Sequence, residues 1–421
     1  MHLIHGEIIQ DEQLQAVLDN LESSLLETLS KPALDSDTVL SAVSRLKKKI
    51  NQDFINTLSA LGIVLSEEEI SLAKQLLSRK YLKTRLKSEL PYHKAKTVKD
   101  PLTKLEVTYQ SVPLGVLLHI VAGNQFSLAL SSCLEGLLTG NINLVKLSSK
   151  DSQISALILK ELIALEPLLK DYIYVFNISS RDSITMNRLI ALSDGVVVYG
   201  GDKAISSLRQ SVPVNTKLIE WGHKISFAYL DQDYRDEGFL YGLAYNIINT
   251  RQLLCSSCQG IYLNTLDDKE LETFGRLFLS ILEQTLRTQG QYPDELVAQS
   301  TLISYTAQLK GKNQVLRGEG VSVTIAKDNI LEASLMLGNP WVKPLLKKDI
   351  LRVLKPCKSY LQTVAVGAKE SRLSELSDLF VKAGAVRITD GRNMSALEYE
   401  SIHDGKRALS RYTRLVSVRQ K

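Results

Sequence analysis

The sequence predicts an α/β protein, with a parallel, doubly wound sheet followed by a second α/β domain. From Val112 onward, short runs of branched apolar residues alternate with amphipathic helical patterns, and the alternation starts afresh near Ile225. Size agrees, because 421 residues of which 44% are hydrophobic suffice for a large core and for two or three domains.

Helical signals dominate the first hundred residues, over Asp11 to Leu29, Ser36 to Leu61 and Ser66 to Glu89. In the third, Ser66 and Glu69 fit a capping box ahead of Ile70, Leu72, Leu76 and Leu77, and Pro91 follows its end. Gly115 to Val121 then reads as a strand, Leu128 to Leu138 as a helix, Ile142 to Leu147 as a strand and Ser152 to Leu165 as a helix. Tyr172 to Phe176 (strand), Ser183 to Leu192 (helix), Gly195 to Tyr199 (strand) and Asp202 to Gln210 (helix) continue the series, with a further strand at Leu218 to Glu220. Past Ile225, helices are expected near Glu237 to Thr250, Asp268 to Gln289 and Glu370 to Ala383, and Arg411 to Arg419 closes the chain as a β-rich tail.

Composition excludes several classes. A formal charge of +5, from 51 basic and 46 acidic residues spread along the chain, is too mild to suggest nucleic-acid binding. Met1 to Gln10 lacks the pattern of a secretory signal, and with no run of about 18 apolar residues no membrane span is expected. Four cysteines, Cys133, Cys255, Cys258 and Cys357, make no disulfide framework in so long a chain, which suits a reducing cytoplasm.

A doubly wound sheet binds its ligand beyond the carboxyl ends of its strands, so the turns after strands are the places to search. After the first strand, Gly123 permits a sharp turn and Asn124 reads either as an amide donor to an oxyanion or as a turn residue bonding its own backbone. After the second, Lys146-Leu147-Ser148-Ser149-Lys150-Asp151 places a cation and two hydroxyls where a dinucleotide would lie, or else forms an ordinary polar loop. Gly200-Gly201-Asp202 opens a helix whose first N–H groups suit phosphate, although no G-x-G-x-x-G fingerprint exists.

The fourth place is Asn249 to Gln259, which holds Cys255. A thiolate is strongly nucleophilic and becomes available when a cation or a helix N-terminus lowers its pKa, and Arg251 is a candidate cation. Cys255 and Cys258 also form a C-x-x-C pair. The six histidines supply no local pair of the zinc-finger kind, so no metal is expected; redox exchange and a buried, inert Cys258 stay open.

These motifs resemble the aldehyde dehydrogenases, in order. Pro113-Leu114-Gly115-Val116 through Asn124 resembles their "P-x-G-V … P-W-N-F-P" segment, Lys146 to Ser149 their "K-P-S-E" cofactor segment, and Glu220-Trp221-Gly222-His223-Lys224 their "E-L-G-G-K". Gln252 to Cys255 resembles the nucleophile segment. Within that superfamily the chain is similar to the LuxC-type acyl-CoA reductases, the reductase component of bacterial fatty acid reductase systems. That likeness rests on Gly136 to Asn141 leading into Lys146 to Asp151, then Cys255-Ser256-Ser257, Leu361-Gln362-Thr363-Val364 and His403-Asp404-Gly405.

The resemblance implies an aldehyde-dehydrogenase-like fold: residues 1–100 the helical part of a Rossmann-type cofactor domain, 112–228 its NADP-binding body, 229–407 a catalytic domain, and 101–111 with 408–421 the oligomerisation strands. It implies catalytic roles for Cys255, Asn124 and Glu220, and cofactor binding by Lys146, Ser148, Ser149, Gly200, Gly201 and Gly222. Ser149 stands where NAD-preferring members carry Glu, which favours NADPH, and the ribose-binding Glu of "E-x-F-G-P" is absent from Lys355 to Leu361. For Glu220 a paired strand-end carboxylate is the other reading. The implied reaction is reduction of an acyl-CoA or acyl-carrier thioester to an aldehyde by a homo-oligomer, with an acyl-activating synthetase as a possible partner. A CoA-acylating or hydrolytic aldehyde dehydrogenase, or a non-catalytic subunit, is the alternative.

Overall fold

The computed structural model describes residues 1–60, 67–121, 126–148, 154–232, 234–289, 292–396 and 404–419. The chain divides into two compact units, Met1–Gly222 with Glu398–Lys421, and His223–Leu397.

The first unit is built on a seven-stranded sheet in the order Glu7–Ile9, His2–Ile4, Ile173–Phe176, Ile142–Lys146, Val116–Ile120, Gly195–Tyr199, Lys217–Trp221. The last five run parallel. Val116–Ile120 lies between Ile142–Lys146 and Gly195–Tyr199, so the strand order reverses there. A crevice opens at such a reversal, beyond the carboxyl ends of the strands. Fully buried strands such as Ile173–Phe176 explain the continuous apolar runs in the sequence.

Four expectations for the N-terminal hundred residues need correction. The chain opens with an antiparallel hairpin, His2–Ile4 with Glu7–Ile9, whose two-residue turn puts His5 at φ 48° and Gly6 at φ 83°. Positive φ at both turn positions matches the twist of the paired strands, and the hairpin extends the sheet through Leu3 against Val175. The helix expected over Ser36 to Leu61 is two, Ser36–Lys49 and Gln52–Ala60, because Ile50 leaves helical geometry at ψ 70° and Asn51 caps the second by accepting from the Phe54 N–H. That expected over Ser66 to Glu89 is also two, Glu67–Leu76 and Arg79–Glu89, the latter capped by Ser78. The expected cap at Ser66 lies outside the described residues.

Lys96–Lys99, Glu106–Pro113 and Thr413–Arg419 form a separate antiparallel sheet, with Glu106–Pro113 in the middle. Its first strand falls within the hundred residues read as helical. The strand Thr413–Arg419 leaves Leu415 58% and Val418 53% exposed.

The second unit carries a seven-stranded sheet in the order Gln314–Arg317, Ser322–Ile325, Trp341–Pro344, Cys258–Leu263, Ile225–Leu230, Leu361–Gly367, Arg387–Thr389. All pairs are parallel except the hairpin Gln314–Arg317 with Ser322–Ile325. The helices Glu237–Thr250 and Asp268–Gln289 cover one face through Leu243, Ile247, Phe274 and Phe278, and Glu370–Ala383 packs Phe380 among Phe227 and Tyr229 on the other. Among the described residues, no helix is long and apolar enough to cross a membrane.

Candidate active site

In the first unit, Lys146, Ser148, Gly200, Gly201, Glu220 and Gly222 all lie at or just past the carboxyl ends of parallel strands. Asn124 and Ser149 lie outside the described residues. Lys146 ends its strand 6% exposed, and burial alone lowers its pKa; no carboxylate pairs with it among the described residues. A buried ammonium without a counter-charge suits an incoming anion or hydroxyl pair. Gly201 is the N-cap of the helix Asp202–Ser211 and, as glycine, has no side chain with which to cap it, so the first turn offers backbone N–H groups that suit an anion. Gly200 donates its N–H to the Trp221 carbonyl at 3.2 Å, and a Cβ on it would crowd Ala204 at 3.3 Å. Gly222 is less constrained, since a Cβ there would make an ordinary contact with Ile205 at 3.6 Å.

Glu220 sits on the edge strand Lys217–Trp221 and is held by Arg209 through two bonds, Nε to Oε1 at 2.5 Å and Nη2 to Oε2 at 2.7 Å. That bonding holds its pKa below the ordinary carboxylate value, aided by the charges of Arg209, Lys406 and Arg411. The Arg411 guanidinium lies 4.7 Å from the Trp221 ring centroid and donates to the Glu220 carbonyl at 3.2 Å.

In the second unit, the helix Glu237–Thr250 ends on Arg251 and Gln252, both left-handed at φ 50° and 59°. Non-glycine residues adopt that region only when their surroundings compensate. Gln252, 1% exposed, donates Nε2 to the Cys258 carbonyl at 2.9 Å, accepts the Asn339 N–H on Oε1 at 2.9 Å, and its own carbonyl accepts from Gln259 Nε2 at 2.9 Å. Leu337, itself left-handed, donates its N–H to the Arg251 carbonyl at 3.0 Å.

Cys255 follows as the second residue of a turn closed by Ser257. The Ser257 N–H donates to the Leu254 carbonyl at 3.0 Å, and its Oγ accepts the Leu254 N–H at 3.0 Å. The Cys255 carbonyl accepts from Ser226 Oγ at 2.7 Å, and Ser256 Oγ bonds Ser395 Oγ at 3.0 Å. Cys255 is partly exposed, whereas Cys258 begins the strand Cys258–Leu263 fully buried, its Sγ 3.3 Å from the Gly260 carbonyl. Burial pushes the Cys258 thiol up to about 12. The two thiols therefore differ in kind: one is presented on a turn, and the other is an inert core group.

The sequence placed this loop among turns after strands. It instead joins a helix to a strand, at the amino edge of the second sheet, and the preceding helix gives it a C-terminal rather than an N-terminal end. Sequence reasoning also missed Ser226 and Asn246, and named Ser257 only as part of the Cys255-Ser256-Ser257 motif. Asn246 Oδ1 accepts the Cys258 N–H at 2.9 Å and its Nδ2 donates to Ser395 Oγ at 2.9 Å. Ser226 and Asn246 sit inside apolar runs, and a polar residue in such a run is the signal that was available. Among the described residues, no cluster of metal-ligating side chains exists.

The signature of the acyl-CoA reductase (LuxC) family matches residues 32–415. The long-chain acyl-protein thioester reductase 2 of Photobacterium leiognathi is 25% identical over 333 residues, covering 74% of this chain and 66% of its own length. The long-chain acyl-protein thioester reductase of Vibrio harveyi is 25% identical over 320 residues, with the same coverage of 74% and 66%. The chain thus spans just under two thirds of the length of these relatives. Solved structures share its fold: aldehyde dehydrogenase 21 from Physcomitrella patens aligns over 98% of this chain and 91% of its own with a TM-score of 0.70 at 14% identity. Methylmalonate-semialdehyde dehydrogenase from Oceanimonas doudoroffii aligns over 100% and 97% with a TM-score of 0.73 at 12% identity. The fold is that of the aldehyde dehydrogenases.

Proposed function

Because the chain belongs to the acyl-CoA reductase (LuxC) family, we propose that it reduces an acyl thioester, with a fatty acyl group, to the aldehyde through an acyl-enzyme on Cys255. The observation that carries this reading is the contrast between the two neighbouring thiols, Cys255 partly exposed on a clamped turn and Cys258 sealed in the sheet.

In this reading Cys255 Sγ attacks the thioester carbonyl, a carbon–sulfur bond forms, and the carrier thiol leaves with a proton. Asn124 and the Cys255 N–H are the proposed donors to the tetrahedral oxyanion, a contribution of roughly 3 kcal/mol per donor in comparable sites. Glu220 is the proposed proton acceptor. Its pairing with Arg209 keeps it ionised, and so ready to accept, but also weakens it as a base.

A nicotinamide cofactor would supply hydride when bound. Lys146, Ser148 and Ser149 would hold its ribose and phosphate side, with the helix N-terminus at Gly200 and Gly201, and Gly222 would let the chain pass close to it. Ser149 beside Lys150 favours NADPH. The acyl donor is an acyl-CoA, a carrier protein or an acyl-transferring partner, and the protein-bound thioesters named for the relatives favour the last. An acyl-activating synthetase is then the natural partner, and the exposed apolar strand Thr413–Arg419 suits a homo-oligomer. No disulfide joins Cys133, Cys255, Cys258 or Cys357 among the described residues, which accords with a cytoplasmic setting.

Replacing Cys255 with Ala tests the reading. Aldehyde formation is expected to be lost while the protein folds and binds NADPH; undiminished aldehyde output would sink it.

A further inference from the structure

Ser226 occupies an irregular point of the second sheet. On one side the register jumps from Ser226 opposite Cys258 to Ala228 opposite Ile261; on the other it jumps from Ile225 opposite Leu361 to Phe227 opposite Val364. Each neighbouring strand therefore carries an extra residue beside Ser226. Such a bulge costs a ladder bond, and the Ser226 hydroxyl supplies one in its place by accepting the Thr363 N–H at 3.0 Å. Its own proton goes to the Cys255 carbonyl at 2.7 Å. The side chain is fully buried, so the carbonyl it holds is turned into the sheet.

That carbonyl belongs to the central peptide of the Leu254–Ser257 turn, the one unit a four-residue turn can flip without moving its ends. Neither Cys255 nor Ser256 is left-handed, which is the type I arrangement. In the flipped form the carbonyl of Cys255 and the N–H of Ser256 exchange sides.

We propose that Ser226 is a positioning residue for the Cys255 nucleophile, holding the Cys255–Ser256 peptide with its carbonyl turned into the sheet and away from the reacting acyl carbon. This rests on the reading of Cys255 as the acylated thiol. An oxyanion forming on the acyl carbon beside the Cys255 N–H is repelled by a carbonyl turned toward it, so keeping the Cys255 carbonyl in the sheet favours acyl transfer. Displacement of iodide by the same thiol develops no oxyanion and does not sense it.

The two reactions separate positioning from loosening. Acylation of Cys255 by a saturating long-chain acyl-CoA, followed by timed quenching and mass spectrometry, is compared with alkylation of Cys255 by iodoacetamide. Ser226→Ala is expected to slow acylation about tenfold or more, judged from losses at oxyanion donors, while alkylation stays within about twofold; Ser226→Thr, which keeps the hydroxyl, restores most of the acylation rate. If Ser226→Ala does not fold, Ser226→Cys, of similar size and with a weak donor, carries the same comparison. Acylation at the wild-type rate, or an equal fall in both reactions, overturns the proposal. Wild-type protein that forms no adduct on Cys255 overturns the acyl-enzyme reading instead, which keeps the two failures distinct.

Discussion

Arg209 grips both carboxylate oxygens of Glu220, and so fixes the charge state of the one acidic side chain proposed to handle protons. Because the pair lowers the folded pKa of Glu220, its stabilisation is present above the ordinary carboxylate value of 4.5 and is lost as pH falls through the depressed value. Arg209→Met is expected to lower the melting temperature at neutral pH, and the difference from wild type should shrink on acidification below about 4.5. Scanning calorimetry from neutral to acid pH checks the sign.

As a base, Glu220 should matter to acyl transfer and not to cofactor binding. Glu220→Gln is expected to slow Cys255 acylation by about 100-fold or less, the low end for general base catalysis, with NADPH affinity unchanged. Single-turnover kinetics and fluorescence titration separate the two; an undiminished acylation rate would leave Glu220 as a structural ion pair.

Cys258 should be silent chemically. Iodoacetamide at neutral pH is expected to label Cys255 and leave Cys258 unlabelled in the native protein, because burial pushes that thiol up to about 12. Cys258→Ala should keep aldehyde formation and cost about 1–2 kcal/mol, as for a small buried apolar group. Peptide mapping and urea denaturation measure these.

Within the first unit, the C-terminal segment is held against the N-terminal part of the chain by a buried charge cluster. Arg85 donates to Glu89 at 2.6 Å and to Glu135 at 2.8 Å; Glu89 also accepts the Leu409 N–H at 2.9 Å, and the Tyr412 hydroxyl donates to Glu135 at 3.3 Å. Arg85→Met strands two buried carboxylates and is expected to cost about 3–5 kcal/mol. Glu135→Gln should cost less, since burial already raises the Glu135 pKa and opposes its charge. Chemical denaturation ranks the two.

Cofactor choice is testable at Ser149. Ser149→Glu is expected to weaken NADPH relative to NADH by about tenfold, through repulsion of the 2′-phosphate. Equal effects on both cofactors, read by titration, would count against the proposed role of this loop.

The parallel strands were legible because full burial leaves runs such as Val116–Ile120 and Gly195–Tyr199. The N-terminal hairpin was not: its turn is His5-Gly6 rather than Asn-Gly, and its strands are three residues long. Cys255 could be picked out by type and spacing, but the clamp around it could not. The Ser226 contact depends on two bulges, and bulges leave no period in a sequence.

The central claim is that Cys255 carries the acyl group on the way to the aldehyde. Incubation with a long-chain acyl thioester, followed by quenching and digestion without thiol reductant, should place the acyl mass on the Cys255 peptide, and NADPH added to the intact acyl-enzyme before quenching should remove it with release of one aldehyde per adduct. Aldehyde formed with no adduct on Cys255, or with the adduct on Cys258 alone, would contradict it.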